Sequence, residues 1–153
     1  MLGIRAYRDA DLEAVAAIHG VSFPRQLRSR DCIAASARAY PKTRVYVADA
    51  EDGVVGFAMW TEKSGFRAQP VLELEQIAVA PQHRRRGIAQ ALIRRSLAEV
   101  EKELQTLKAV VVTTRADNAA QELYRKTLGA EVEATISSLY SGDEVLMVAR
   151  RLP

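Results

Sequence analysis

Ile77-Ala78-Val79-Ala80-Pro81-Gln82-His83-Arg84-Arg85-Arg86-Gly87-Ile88-Ala89-Gln90-Ala91-Leu92 is the stretch from which the fold can be read. Its first residues end a segment, Val71 to Val79, that reads as a strand and stops at Pro81. From Gly87 a long amphipathic helix begins. Its apolar residues Ile88, Leu92, Leu97, Val100 and Leu104 recur at spacings of three to five, mostly on one face. A strand thus runs through a short loop straight into a helix N-terminus. The first turn of a helix carries unpaired N–H groups and the positive end of the dipole. Gly87 and the small Ala89 let a bulky anion approach that backbone, and Arg84, Arg85 and Arg86 add charge. The same residues also fit plain helix–sheet packing beside a solvated arginine corner. The Lys-Ser/Thr of a P-loop is missing, as is Gly-x-Gly-x-x-Gly, which argues against a nucleotide triphosphatase and a dinucleotide fold.

Working outward, Ile4 to Tyr7 reads as a strand, and Asp9 offers an N-cap to a helix reaching Val21, stopped by Phe23-Pro24. Ser29 caps a second helix through about Tyr40, before Pro41. Arg44 to Ala48 and Val54 to Trp60 alternate around Glu51-Asp52-Gly53, the mark of a hairpin, and a polar loop spans Thr61 to Pro70. Beyond the long helix, Ala109 to Thr114 reads as a buried strand and Asp117 to Leu128 as a helix, with Gly129 at its end. Glu131 to Leu139 and Val145 to Arg150 close the chain as an antiparallel pair around Ser141-Gly142-Asp143. The order β-α-α-β-β-β-α-β-α-β-β implies an α/β fold. It predicts a mixed, mostly antiparallel sheet with a central parallel crossover pair, flanked by helices.

With 153 residues and no repeat or linker, residues 1–153 read as a single domain. Cys32 is alone, so an internal disulfide framework is excluded, and His19 and His83 fall short of a zinc cluster; no metal is expected. No apolar run approaches the ~20 residues that span a bilayer, and the charged N-terminus lacks a secretory core. No membrane partner and a cytoplasmic location are therefore expected. The net charge of +3 is partly local, in Arg25, Arg28 and Arg30 and again in Arg84, Arg85 and Arg86. Such clusters suit an anionic ligand. Aromatic residues are few and not interleaved with the basic ones, and no helix-turn-helix or RNP pattern is present, so no nucleic-acid partner is expected.

Two blocks together resemble one family. Arg84-x-x-Gly87-x-Ala89, preceded by Ile77-Ala78-Val79-x-Pro81 and followed by Ala91-Leu92, is similar to the acetyl-CoA signature of the GNAT N-acetyltransferases. Asp117-Asn118-Ala119-Ala120-Gln121-Glu122-Leu123-Tyr124 resembles the family's second block, an acidic or amide residue followed by Leu-Tyr on a helix. The element order is also the family's, so the resemblance covers roughly residues 1–150.

The resemblance implies acetyl-CoA as co-substrate and a GNAT-like sheet. It assigns the pantetheine arm to the backbone of Ile77, Ala78 and Val79, and the pyrophosphate to Arg84, Arg85, Arg86, Gly87, Ile88 and Ala89. It places Asp117 or Asn118 beside the cofactor and a helix tyrosine at the sulfur. A positioned phenol can protonate the departing thiolate, which gives Tyr124 a role as general acid. Tyr124 also fits the core face of an amphipathic helix. The five residues from Tyr124 to Gly129 exceed the family's usual four, so counting back from Gly129 puts Arg125 in the tyrosine slot and Asn118 in the asparagine slot. Counting from Tyr124 selects Asp117, and this is the preferred register. For the base, Glu73 and Glu75 alternate with Ile77 and Val79 and are expected on one face, where two close carboxylates would raise one pKa. A solvated strand face explains them equally well.

Phe23-Pro24 and Leu139-Tyr140-x-Gly142-Asp143-Glu144 resemble the substrate-flanking segments of protein N-terminal acetyltransferases, which implies substrate-binding roles for Phe23 and Tyr140. Arg25, Arg28 and Arg30 then read either as a surface for an acidic acceptor or as ordinary surface charge. The expected function is acetyl transfer to a primary amine by direct attack, on a peptide N-terminus. Alternatives are a small amine or polyamine acceptor and a non-catalytic acyl-CoA sensor. A homodimer is compatible with the sequence.

Overall fold

The computed structural model describes residues 1–63 and 65–151. Among them, seven strands form one sheet in the order β1-β2-β3-β4-β5-β7-β6. The strands are β1 Gly3–Ala6, β2 Thr43–Ala50, β3 Gly53–Lys63, β4 Val71–Val79, β5 Ala109–Arg115, β6 Glu131–Ile136 and β7 Glu144–Arg150. The helices are α1 Leu12–Ser22, α2 Ser29–Ala37, α3 Ile88–Glu103 and α4 Ala120–Leu128. Every strand pair is antiparallel except β4–β5, which is parallel with α3 as its crossover. The expected mixed sheet with a central parallel pair is the one observed.

The two faces of the sheet bury separate clusters. One holds Trp60, Leu92, Ile93, Val100, Val110 and Met147 beneath α3 and α4. The other holds Val15, Ile18, Ile33, Val47, Phe57 and Met59 beneath α1 and α2. Trp60 is tied across the first cluster, its Nε1 donating to Ser96 Oγ at 2.8 Å. On the second face α1 and α2 pack on β2, β3 and β4. The same face of β5 and β7 stays half exposed at Val111, Thr113, Leu146 and Val148.

The parallel ladder is short. It pairs Val71 with Ala109, Leu72 with Val110 and Glu73 with Val111. Beyond Glu73, β4 continues against β3 as far as Val79, and β5 continues against β7 as far as Arg115. The two halves of the sheet therefore part after three rungs and leave a gap.

A bulge in β4 corrects the expected facing of the two glutamates. Gln76 pairs with Met59 and Leu74 with Trp60, so Glu75 is an extra residue without a partner. Leu72 and Leu74 point to the α3 side, and after the bulge Ile77 and Val79 do so again. Glu73 lies on the other face, with its partner Thr61. The strict alternation assumed from sequence fails because one inserted residue inverts the parity.

Several boundaries also move. The first α-helix begins at Leu12 after a short 3-10 turn at Asp9–Asp11, and Asp9 does not cap it. Arg28, in a left-handed conformation, precedes α2, and the Ser29 hydroxyl bonds His19 Nδ1 at 2.7 Å instead of capping. That helix ends at Ala37, three residues short of Tyr40. β3 runs on through Lys63, because Thr61 and Glu62 still pair with β4. α4 starts at Ala120, since Asn118 Oδ1 accepts the Ala120 N–H at 2.9 Å and holds residues 117–119 as a turn. β6 stops at Ile136.

Candidate active site

The gap between β4 and β5 opens into a cleft of about 350 Å³. Its β4 wall is Ile77, Ala78 and Val79, and its α3 end is Arg84, Arg85 and Ala89. Asn118, Ala120, Leu123 and Tyr124 form the facing wall, and Ser22 and Phe23 at the end of α1 close the side. Here β4 has lost its neighbour, so the strand edge presents backbone hydrogen-bonding groups to whatever fills the gap.

The α3 end is preorganised by backbone conformation. Gly87 immediately precedes the helix at φ 77°, a left-handed value that L side chains adopt only with strain. Arg85 carries the same kind of strain at φ 62°. The first bond into α3 runs from Ala91 N–H to Gly87 O, so the preceding N–H groups of the first turn have no intrahelical acceptor. Arg84 does not reach freely into solvent: its Nε donates to Val79 O at 2.9 Å and its Nη2 to Ser22 Oγ at 3.3 Å. Ile88 buries its side chain in the core and faces the loop through its amide alone.

The facing wall places the residues of the two registers differently. Tyr124 is buried and lines the cleft, and burial alone pushes its phenol above the ordinary 10.0. Arg125 turns away, bridging Glu122 and Glu131 at 3.6 Å each. Yet it is Asn118, not Asp117, that lines the cleft, with its Nδ2 donating to Thr114 Oγ1 at 2.8 Å. Asp117 is exposed and held by Arg115 at 3.0 Å, which also depresses its carboxyl. The cleft is thus lined by the tyrosine of one count and the amide of the other, because the 117–119 turn is not helical.

The other residues singled out from sequence do not line this cleft, and Glu73 lies on the sheet face opposite α3. Glu73 stands at the last rung before the gap; burial raises its carboxyl, Lys63 at 3.7 Å pulls it back, and the Glu75 charge raises it further. Glu75 lies outside the main cleft, lining a second one with Thr43, Lys42 and Lys63, and accepts from Thr61 Oγ1 at 2.5 Å. Tyr140 is exposed in the turn between β6 and β7. Its neighbour Ser141 accepts from Arg25 Nη1 at 2.8 Å and from Arg115 Nη1 at 3.0 Å, so a bridge crosses from the α1–α2 loop to that turn. Of the basic cluster, Arg30 is engaged by Glu13. Ala120 and Leu123, which belong to the second block without a role of their own there, also line the cleft, and Ser22 does so without any trace in the sequence, because a small side chain carries no chemical signature. Among the described residues no group of three or more His, Cys, Asp or Glu is placed to hold a metal, and no helix is long and apolar enough to cross a membrane.

Comparison with known proteins agrees with this geometry. The acetyltransferase (GNAT) family matches residues 10–130. No curated protein sequence matches the chain. Among solved structures, Ard1 from Thermoplasma volcanium superposes with a TM-score of 0.83 at 23% identity, covering 99% of each chain. Arabidopsis thaliana NAA60 in complex with a bisubstrate analogue gives 0.80 at 18% identity, over 97% of each chain. A ribosomal-protein-alanine N-acetyltransferase from Brucella melitensis gives 0.77 at 23%, over 97% of this chain and 99% of its own. These identities speak for the fold. The family match spans more than three quarters of the sequence and includes the strand–loop–helix junction, and on that ground the chain belongs to the GNAT family of acetyltransferases.

Proposed function

We propose that the protein moves the acetyl group of acetyl-CoA onto a primary amine, and that the acceptor is the amino terminus of a peptide or protein. The observation that carries this reading is the three-rung ladder between β4 and β5, which opens the sheet beside the α3 N-terminus and Tyr124. The likeness to Ard1, NAA60 and the alanine N-acetyltransferase supports the choice of acceptor. Phe23 at the cleft and Tyr140 in the facing turn flank the acceptor side.

In this reading the pyrophosphate rests on the amides from Arg85 to Ala89, where the helix dipole and Arg85 favour negative charge. The pantetheine pairs with the free β4 edge at Ile77–Val79, and Asn118 borders it. The thioester carbonyl then meets an amine coming from the opposite face. The amine must be neutral to attack. It loses its proton through water to Glu73, whose buried carboxyl holds a proton more readily than an exposed one. The nitrogen–carbon bond forms and the nitrogen gives up its second proton to solvent, the carbon–sulfur bond breaks, the thiolate takes the Tyr124 proton, and solvent returns a proton to the phenolate. Burial keeps that phenol protonated at neutral pH, which is the state a proton donor needs.

The test is CoA release from acetyl-CoA with a panel of free-amino-terminal peptides, small amines and polyamines. Peptides should be preferred. Turnover confined to small amines would overturn the acceptor assignment, and CoA binding without turnover on any amine would overturn catalysis.

A further inference from the structure

Among the described residues two buried side-chain oxygens lack a hydrogen-bond partner: Gln76 Oε1 and Glu144 Oε2. Native proteins keep such atoms rare, and a buried carboxylate oxygen without a donor is the costlier kind. Glu144 is 7% exposed. Both residues lie on the face of the sheet opposite α3, two rungs apart along the strands.

For Gln76 the face follows from its bonds. Its Nε2 donates to Gln26 Oε1, in the α1–α2 loop, at 2.9 Å. Gln26 Oε1 also meets His19 Nε2 at 2.9 Å, and His19 Nδ1 is occupied by Ser29 Oγ. An oxygen that accepts twice can face only donors, so the Gln76 nitrogen points at Gln26 and its oxygen points away. Gln76 is the residue before Ile77, where the cleft wall begins. For Glu144 the face follows from alternation. Val145 and Met147 pack on the α3 side, so Glu144 projects to the other one. Counting on from the last rung, Glu73 with Val111, and passing over the bulged Glu75, brings Gln76 level with Thr113 and Ala78 level with Arg115, which pairs with Glu144. Arg115 does not neutralise Glu144 by contact, because its guanidinium is taken by Asp117 and Ser141.

We propose that these two oxygens are the polar subsite for the acceptor nitrogen. The Gln76 amide oxygen takes an N–H of the attacking amine at the edge of the gap, and the Glu144 carboxylate balances the ammonium charge on arrival. A primary amine supplies what both lack, donors and positive charge. Gln26 and His19 act one step back, as positioning residues that fix the Gln76 amide. The inference rests on the acetyltransferase reading above and names how that site recognises its acceptor.

The experiment uses the full chain and the best acceptor from the amine panel. Glu144→Gln keeps the shape and removes the charge; Gln76→Met keeps the length and removes the acceptor oxygen. Each should raise the acceptor KM about 10-fold to 100-fold, the range for losing a charge-assisted or buried hydrogen bond. The CoA affinity should not change. The melting temperature of unliganded Glu144→Gln should stay level or rise, since the oxygen it replaces is unpaired in the free protein. Gln26→Leu should raise the acceptor KM and Gln26→Glu, which still accepts from both donors, should restore it. An unchanged acceptor KM in both Glu144→Gln and Gln76→Met, or a fall in melting temperature with KM unmoved, would show bound water or a structural role and overturn the proposal. Absence of turnover in the wild type on every amine would remove the acetyltransferase reading and this inference with it, a result that the variants alone cannot mimic.

Discussion

Tyr124, buried in the wall of the cleft, is the residue that donates the proton in the proposed mechanism. Tyr124→Phe keeps the buried ring and removes only the hydroxyl, so folding and CoA affinity should change little while kcat falls on the order of 10²-fold. Arg125→Ala, which cuts two partly exposed ion pairs, should leave kcat nearly unchanged. Full activity in Tyr124→Phe with chemistry rate-limiting would take the phenol out of the mechanism. Because burial lifts that phenol above 10.0, kcat at saturating amine should show no alkaline fall before that pH. A carboxylate gives the opposite sign. Asp11 is hydrogen-bonded by Arg5 at 2.8 and 2.9 Å, which depresses its pKa below the ordinary 3.8. A lowered folded value means its stabilisation is present above 3.8 and lost as pH falls through the depressed value. Acid titrations of stability should show this lower limb in the wild type and not in Asp11→Asn. From sequence, Tyr124 was legible through its place after Leu123. The choice between Tyr124 and Arg125 was not, since it depends on where the turn before α4 ends, and that is set by the Asn118 side chain on the Ala120 amide.

At the scale of single elements, α3 and β4 carry the site and can be tested separately. Ala89→Glu puts a carboxylate at the helix end assigned to the pyrophosphate, on a residue with ordinary helical geometry. CoA affinity by calorimetry should drop sharply in a folded variant; unchanged affinity would dismiss the assignment. Gly87→Ala should instead cost about 1–2 kcal/mol of stability, from the left-handed φ alone, since open space surrounds the new Cβ. Ser96→Ala leaves the Trp60 indole N–H buried without an acceptor and should cost about 1–3 kcal/mol in denaturant unfolding. α3 was readable because its apolar stripe and the preceding Pro81 and Gly87 all point the same way. The bulge in β4 had a trace too, in the three-residue step from Leu74 to Ile77 where alternation asks for two. Read as regular, the strand put Glu73 on the wrong face. The bulge is a property of pairing with β3, and a strand read alone does not show it.

For the molecule as a whole, the proposed filling of the gap in the middle of the sheet by CoA should make stability depend on ligand. At a CoA concentration 100 times its dissociation constant, linkage adds about 2.7 kcal/mol. For a chain of this size that is a rise of roughly 5–10 °C in melting temperature. Hydrogen exchange should slow at the β4 edge, Ile77 to Val79, and at the start of α3, while β1 and β6 stay as they were. A flat thermal-shift titration would tell against any acyl-CoA function. The bridge from Arg25 through Ser141 to Arg115 has a consequence of its own in time. Its contacts are exposed hydrogen bonds, each worth about 1 kcal/mol, so the bridge is open on the order of a tenth of the time or more. Exposed side chains exchange rotamers in nanoseconds, whereas ordinary enzymes turn over in milliseconds or longer. If the proposed acceptor enters between the α1–α2 loop and the β6–β7 turn, it should meet an averaged doorway, and Arg25→Lys should alter which acceptors bind rather than how fast they enter.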